Sequence, residues 1–243
     1  MKTFYTFLLC FTFSCLHAQL ESANWYFGVK AGLDFSSGTP EVVYDGAMST
    51  GEGCASISDP DGNLLFYTDG TKVYNREHIT MPNGNFLLGN SSSTQSAIVI
   101  PYPNDLNKYY IFTVGADDMA LPNNTNNTGF NYYIVDMSLN DGLGDVLPYN
   151  APQNKLMELT SEKVTAVAHA NGQDFWVLTH FEDKFHAYLV TEEGVNTTPV
   201  ISQIGPYIDP DVYPVNARGY LKLSPNGKKV GIAHLTNLLL EDI

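Results

Sequence analysis

Ala55-Ser56-Ile57-Ser58-Asp59-Pro60-Asp61-Gly62-Asn63-Leu64-Leu65-Phe66-Tyr67 reads as strand, tight turn, strand, and this reading decides the fold. A tight hairpin turn needs residues that accept positive φ, which Gly and Asn do at little cost, and Pro presets the approach. The unit returns three more times. A looser copy runs Ser96-Ala97-Ile98-Val99-Ile100, a turn region over 101–108, then Tyr109-Tyr110-Ile111-Phe112-Thr113-Val114. The third is Thr165-Ala166-Val167-Ala168-His169-Ala170-Asn171-Gly172-Gln173-Asp174-Phe175-Trp176-Val177-Leu178. The fourth is Tyr220-Leu221-Lys222-Leu223-Ser224-Pro225-Asn226-Gly227-Lys228-Lys229-Val230-Gly231-Ile232-Ala233.

A third strand follows the hairpin in the first three copies, at 72–75, 131–136 and 184–189. Looser apolar segments at 86–88, 145–147 and 200–204 read as fourth strands. No apolar stripe of period 3.6 survives beyond residue 19; the best candidate, 154–168, is broken by Thr160 and Ser161. The copies begin near residues 54, 96, 165 and 220, and the longest interval holds the polar loop Leu121-Pro122-Asn123-Asn124-Thr125-Asn126-Asn127-Thr128. Four-stranded units recurring every 40–50 residues or so are the mark of β-propeller blades. A β-sandwich with irregular hairpins is the rival, and recurrence of one turn at one place in each unit favours the propeller. The expectation is an all-β fold: a β-propeller with about four four-stranded blades. The last hairpin leads into Leu238-Leu239-Leu240-Glu241-Asp242-Ile243, which reads as the start of a third strand, so the ring is expected to be incomplete and truncated.

The first residues read as an export signal. Lys2 opens a basic region, residues 4–16 are almost wholly apolar or small, and Leu16-His17-Ala18 precedes Gln19. The apolar run is too short for a membrane span, which needs about 20 residues. We expect cleavage between Ala18 and Gln19, giving a signal peptide over 1–18, a propeller domain over 19–243, and no membrane span in the mature chain. A lipoprotein acylated at Cys15 would want an aliphatic residue three positions earlier, where Thr12 stands. Cleavage removes Cys10 and Cys15 and leaves Cys54 without a disulfide partner, so packing must hold the exported domain. Twelve Lys and Arg stand against 26 Asp and Glu, a net charge of −14. A surface that acidic repels nucleic acid and anionic lipid.

The chain resembles the N-terminal propeller region of bacterial cell-surface proteins that end in a gliding-motility-associated, type B sorting domain and are cargo of type IX secretion. The resemblance rests on Asn24-Trp25-Tyr26-Phe27-Gly28 with Ala31-Gly32-Leu33-Asp34-Phe35, and on Glu52-Gly53-Cys54-Ala55-Ser56-Ile57-Ser58-Asp59. It continues through Gly62-Asn63-Leu64-Leu65-Phe66-Tyr67-Thr68-Asp69-Gly70, Met81-Pro82-Asn83-Gly84 and Ser91-Ser92-Ser93-Thr94-Gln95-Ser96-Ala97. It implies surface delivery by the secretion machinery for full-length relatives, and no shared catalytic residues or cofactor. It also implies that the strand near 25–27 or 33–35 helps to close the ring by joining the final blade. The sorting domain is absent from this sequence.

The residues that could carry chemistry read as structural. His180 and His186 flank Phe181-Glu182-Asp183-Lys184-Phe185, and metal ligation would need two or three donors converging at about 2 Å; a charged hairpin turn is the plainer reading. His169 beside Asn171-Gly172 reads as a turn residue. Asp59-Pro60-Asp61-Gly62-Asn63 and Asp141-Gly142-Leu143-Gly144-Asp145 lack the distal bidentate Glu of a calcium loop. Cys54 has acidic and neutral neighbours, whereas a nucleophilic thiolate needs a basic one. The run Ser91-Ser92-Ser93-Thr94-Gln95-Ser96 reads either as a ligand-facing rim loop or as a turn whose hydroxyls satisfy local backbone groups. No Gly-x-Ser-x-Gly elbow, phosphate loop or dinucleotide fingerprint occurs. The sequence thus predicts no catalytic residue, metal or cofactor. It predicts a secreted or cell-surface module for binding, adhesion or surface structure, with an unknown extracellular protein or glycan ligand. The alternatives are a propeller enzyme acting on extracellular carbohydrate and a non-functional gene fragment.

Overall fold

A computed structural model describes residues 20–116, 127–205, 207, 217–235 and 237–242. The expected signal segment with its Ala18–Gln19 junction, most of the expected polar loop and Ile243 lie outside them. The described chain is all-β, with twenty strands in five antiparallel sheets. Helix among the described residues amounts to one α-turn at Ala151–Asn154 and two 3₁₀ turns, Leu20–Ser22 and Asn140–Gly142.

The first sheet holds β1 (Asn24–Phe27), β2 (Ala31–Asp34) and β3 (Glu41–Val43). The second runs in sequence order through β4 (Ala55–Ser58), β5 (Leu64–Thr68), β6 (Lys72–Asn75) and β7 (Thr80–Asn85). The third contains β8 (Ala97–Tyr102), β9 (Asp105–Val114), β10 (Phe130–Asp136), β11 (Asp145–Val146) and β12 (Lys155–Met157). The fourth contains β13 (Val164–Ala168), β14 (Phe175–Phe181), β15 (Lys184–Thr191), β16 (Gly194–Val195) and β17 (Val200–Gln203). The fifth holds β18 (Leu221–Leu223), β19 (Lys229–His234) and β20 (Asn237–Asp242).

Each recurring hairpin opens one of these sheets, and in three of the four the turn glycine takes the expected left-handed backbone: φ is 88° at Gly62, 76° at Gly172 and 66° at Gly227. The second copy is tighter than its sequence suggested. Its strands extend to Tyr102 and resume at Asp105, so the turn carries Asn104 at φ 62°.

There are five sheets rather than four units, holding three, four, five, five and three strands among the described residues. The extra sheet is built from the segments expected to join the final blade: Asn24–Phe27 pairs with Ala31–Asp34, which pairs with Glu41–Val43. β1 and β2 are joined by a very short turn, whose closure costs little entropy. In the second sheet the fourth strand is Thr80–Asn85, and the expected 86–88 segment lies just beyond it.

The sheets stack in chain order, each interface filled by one apolar layer. Tyr26 and Met48 meet Tyr67 and Tyr74 between the first and second sheets. Phe66, Val73 and Met81 meet Tyr109, Ile111 and Val135 between the second and third. Tyr110, Phe112 and Phe130 meet Val164, Val177 and Tyr188 between the third and fourth. Leu178 and Phe185 meet Leu221, Val230 and Ile232 between the fourth and fifth. Alternation along a strand explains how one strand serves two layers: Phe66 faces one neighbour and Tyr67 the other, as do Val177 and Leu178. Central strands buried on both faces read as continuous apolar runs, as 109–114 does. Each large side chain so buried contributes about 1.5–3 kcal/mol.

Candidate functional site

The segments that lead into the first strands of four sheets converge, and residues 91–96 are their meeting point. The Gly53 and Glu52 N–H groups donate to the Ser93 and Ser91 carbonyls at 3.0 and 3.2 Å. Ser93 Oγ donates to the Val114 carbonyl at 3.2 Å. The Thr94 N–H and Oγ1 both donate to Glu162 Oε2, at 3.0 and 3.1 Å, and Thr94 Oγ1 accepts from the Gly219 N–H at 3.2 Å. Arg218 Nε lies 3.7 Å from Glu162 Oε1. The approach at Gly53 is close enough that a Cβ there would sit 2.2 Å from the Ser96 nitrogen. In this hub the Ser93 and Thr94 side chains bind the protein's own backbone and the Glu162 carboxylate, at partners remote in sequence rather than the local turn groups expected, while Ser96 Oγ is buried without a hydrogen-bond partner among the described residues. The sequence could not give the partners, which lie 68 and 125 positions away.

Beside this hub, Lys163 is fully buried, its Nζ donating to the Ala217 carbonyl at 2.5 Å and lying 3.5 Å from His234 Nδ1. The His180 ring stands 5.4 Å from the His234 ring and 4.8 Å from Phe185. Burial, reinforced by Lys163, His234 and His186, pushes His180 down to about 3.

The other sequence candidates fall at separate places. In the β14–β15 register His180 is opposite Phe185 and His186 is opposite Thr179, so the two rings lie on opposite faces of the sheet. Between them Lys184 pairs with Asp183 at 3.0 Å and with Glu182 at 3.4 Å. The Asp59 carboxylate accepts from the Asp61 and Asn63 N–H groups at 2.9 and 2.8 Å and from Asn63 Nδ2 at 2.9 Å. Its oxygens thus stitch their own turn. Asp145 accepts from the Asn83 N–H and Nδ2 at 2.8 and 2.7 Å, tying the second sheet to the third. Burial and the nearby Asp69 carboxylate push the half-buried Cys54 thiol up. No group of three or more His, Cys, Asp or Glu suited to a metal is found among the described residues.

A cleft of about 390 Å³ opens between the fourth and fifth sheets, beside the third and fourth recurring turns. The fourth sheet supplies Val167 from β13, Trp176 and Leu178 from β14, Ala187 from β15 and Val200 from β17. These share one face, because Val167 is opposite Trp176, and Leu178 is opposite Ala187, which is opposite Val200. The fifth sheet adds Leu223, and the two turns contribute Ala168, His169, Ala170, Asn226 and Gly227. The His169 and Trp176 rings are 6.0 Å apart. His169 Nδ1 accepts from the Asn171 N–H at 3.1 Å, and Asn226 Oδ1 accepts from Ser224 Oγ and the Lys228 N–H at 2.8 and 3.1 Å. No Asp, Glu, Lys or Arg lines the cleft. An apolar recess with a few convergent polar groups, of this size, is the usual form of a small-ligand site. Sequence reading passed over it because its walls come from positions 167, 176, 200 and 226, which only the sheet stacking unites.

No family model matches the chain, and no curated protein matches it. Among solved structures it is similar to dihydro-heme d1 dehydrogenase NirN in complex with DHE, at 12% identity and a TM-score of 0.40. That similarity covers 88% of this chain and 39% of the other, so the chain spans well under half of that protein's length.

Proposed function

We propose that the protein is a β-propeller module, delivered to the cell exterior, that binds an extracellular ligand in the cleft between its fourth and fifth sheets. The propeller reading is supported by four apolar layers between sheets stacked in chain order. It is supported also by the convergence of the segments before the first strands on residues 91–96. Export is supported by the basic, apolar and small-residue order of residues 1–18. Delivery by type IX secretion, as cargo of a longer surface protein, follows from the resemblance of residues 52–70 and 91–97. Among the described residues no helix is long and apolar enough to cross a membrane.

One observation carries binding over catalysis: the cleft combines an apolar wall and an indole with polar N–H groups, but holds no carboxylate, lysine or arginine. Histidine is the commonest acid–base group, but the cleft's one histidine, His169, has no carboxylate to orient it and no serine, threonine or cysteine to activate among the lining residues. The test compares labelled residues 19–243 with an Ala187→Trp variant, which fills the cleft, on panels of immobilised extracellular glycans and peptides. Binding by the parent and its loss in a variant of unchanged circular dichroism is the expected result. Equal binding by both would overturn the assignment of the cleft.

A further inference from the structure

We infer that the cleft is a seat for one uncharged sugar ring of a neutral glycan. The inference rests on the cleft being the ligand seat, and adds the chemistry of what it takes.

Three features converge on that class. The first is donors without acceptors. Because Nδ1 of His169 accepts from the Asn171 N–H, the neutral ring carries its proton on Nε2. The side chains of His169, Trp176 and Asn226 line the cleft, and their N–H donors, half-buried at His169 and Trp176 and exposed at Asn226, meet water and no protein acceptor among the described residues, while Asn226 Oδ1 is already occupied. An acyl chain or hydrocarbon would strip water from whichever of these donors it covered and return nothing. Hydroxyl and ring oxygens would accept from them.

The second feature is charge. An ionised ligand would lose hydration in the cleft with no opposite charge to meet it, and a chain of net charge −14 repels polyanions. The ligand class is therefore neutral. The third is shape. The half-buried Trp176 indole stands in an aliphatic wall with Val167 and Val200, an apolar platform for the C–H face of a pyranose. The volume of about 390 Å³ accommodates a ring of that size with its substituents.

The chain has two tryptophans, so a Trp25→Phe version of residues 19–243 makes Trp176 the sole indole reporter. It is titrated with methyl pyranosides of glucose, galactose, mannose and N-acetylglucosamine, and separately with toluene as an apolar probe. The expected result is a saturable emission change with at least one glycoside. That affinity should fall about three- to tenfold in each of His169→Phe and Asn226→Ala, the effect of one lost neutral hydrogen bond, with the circular dichroism of the folded protein unchanged even though each substitution also removes a turn hydrogen bond. Saturation by toluene alone would overturn the sugar assignment and leave the cleft as a seat for apolar groups. Glycoside binding indifferent to both substitutions would overturn the donor roles. Silence of Trp176 towards every probe would overturn both this inference and the cleft itself.

Discussion

Gln95 and Leu221, 126 positions apart, exchange a reciprocal pair of hydrogen bonds: the Leu221 N–H donates to Gln95 Oε1 at 2.7 Å, and Gln95 Nε2 donates to the Leu221 carbonyl at 3.2 Å. A side-chain amide here takes the place of a neighbouring strand at the start of β18. It fastens the fifth sheet to the loop that enters the third. Gln95→Ala would leave the buried Leu221 with a donor and an acceptor unpaired, at about 1–3 kcal/mol. We expect the urea midpoint to fall with the m-value unchanged. Gln95→Glu should cost more, since it sets a carboxylate oxygen against the Leu221 carbonyl. An unshifted midpoint in both variants would show that this clamp contributes nothing.

The first sheet is held to the second by a hydrogen-bonded chain through one histidine. The Ala47 N–H donates to Tyr67 Oη at 2.9 Å, Tyr67 Oη lies 3.2 Å from His78 Nδ1, and His78 Nε2 lies 3.4 Å from Asp45 Oδ2. The Tyr26 hydroxyl donates to the other Asp45 oxygen at 3.0 Å. Burial pushes the Tyr67 hydroxyl up to about 12, so it stays protonated within this chain. Tyr67→Phe retains the ring stacked between Tyr26 and Tyr74 but removes the link to His78. It should cost about 1–2 kcal/mol and speed amide exchange at Ala47 more than at Ile111. Equal acceleration at both amides would mean global destabilisation, with no local latch.

What the sequence revealed follows from what is local. Asp61-Gly62, Asn171-Gly172 and Asn226-Gly227 announce their turns because the backbone there needs positive φ, and the structure has it. The strands between them are legible because apolar runs bounded by such turns have few other uses. The strands near 25–27 and 33–35 are legible, but their pairing into a sheet of their own is not, because they are short and because Lys30, at φ 58°, occupies a left-handed position that sequence offers no reason to expect. The role of residues 91–96 was ambiguous for a different reason. A run of hydroxyls fits a ligand rim or a local turn, and nothing in it announces a hub until Glu162 and Gly219 are brought alongside.

Cys54 should behave as an inert thiol. Burial first, and the Asp69 carboxylate second, hold its protonated form above the ordinary thiol range, so little thiolate exists at neutral pH. Labelling of the folded protein by a disulfide reagent at pH 7 should be slow, and should quicken as pH rises. Cys54→Ser should lower stability by about 1 kcal/mol and leave ligand binding unchanged. Stoichiometric labelling within seconds at pH 7 would contradict this account.

His180 should make the fold sensitive to mild acid. In the folded protein it resists protonation down to about 3, chiefly through burial and then through Lys163, His234 and His186, whereas in the unfolded chain it takes up a proton near pH 6.5 or so. Between those values the unfolded state binds a proton that the folded state refuses, so stability falls as pH falls, by at most about 1.4 kcal/mol per pH unit for this group. Above the unfolded value neither state is protonated and the dependence vanishes. Burial lowers His186 as well, which adds to the slope in the same direction. The carboxyls held low, Asp59 by Asn63 and its turn amides against a burial penalty and Asp183 by Lys184 and Gln203, contribute only in stronger acid. The window between pH 5 and 6.5 lies above these carboxyls, and comparison with a variant lacking His180 reads that histidine's share of the slope. Urea unfolding across this window should show a falling midpoint for the parent, and a flatter one for His180→Phe, which keeps an aromatic ring between Phe185 and His234. Parallel slopes for the two proteins would mean that His180 is protonated, or exposed to water, in the folded state.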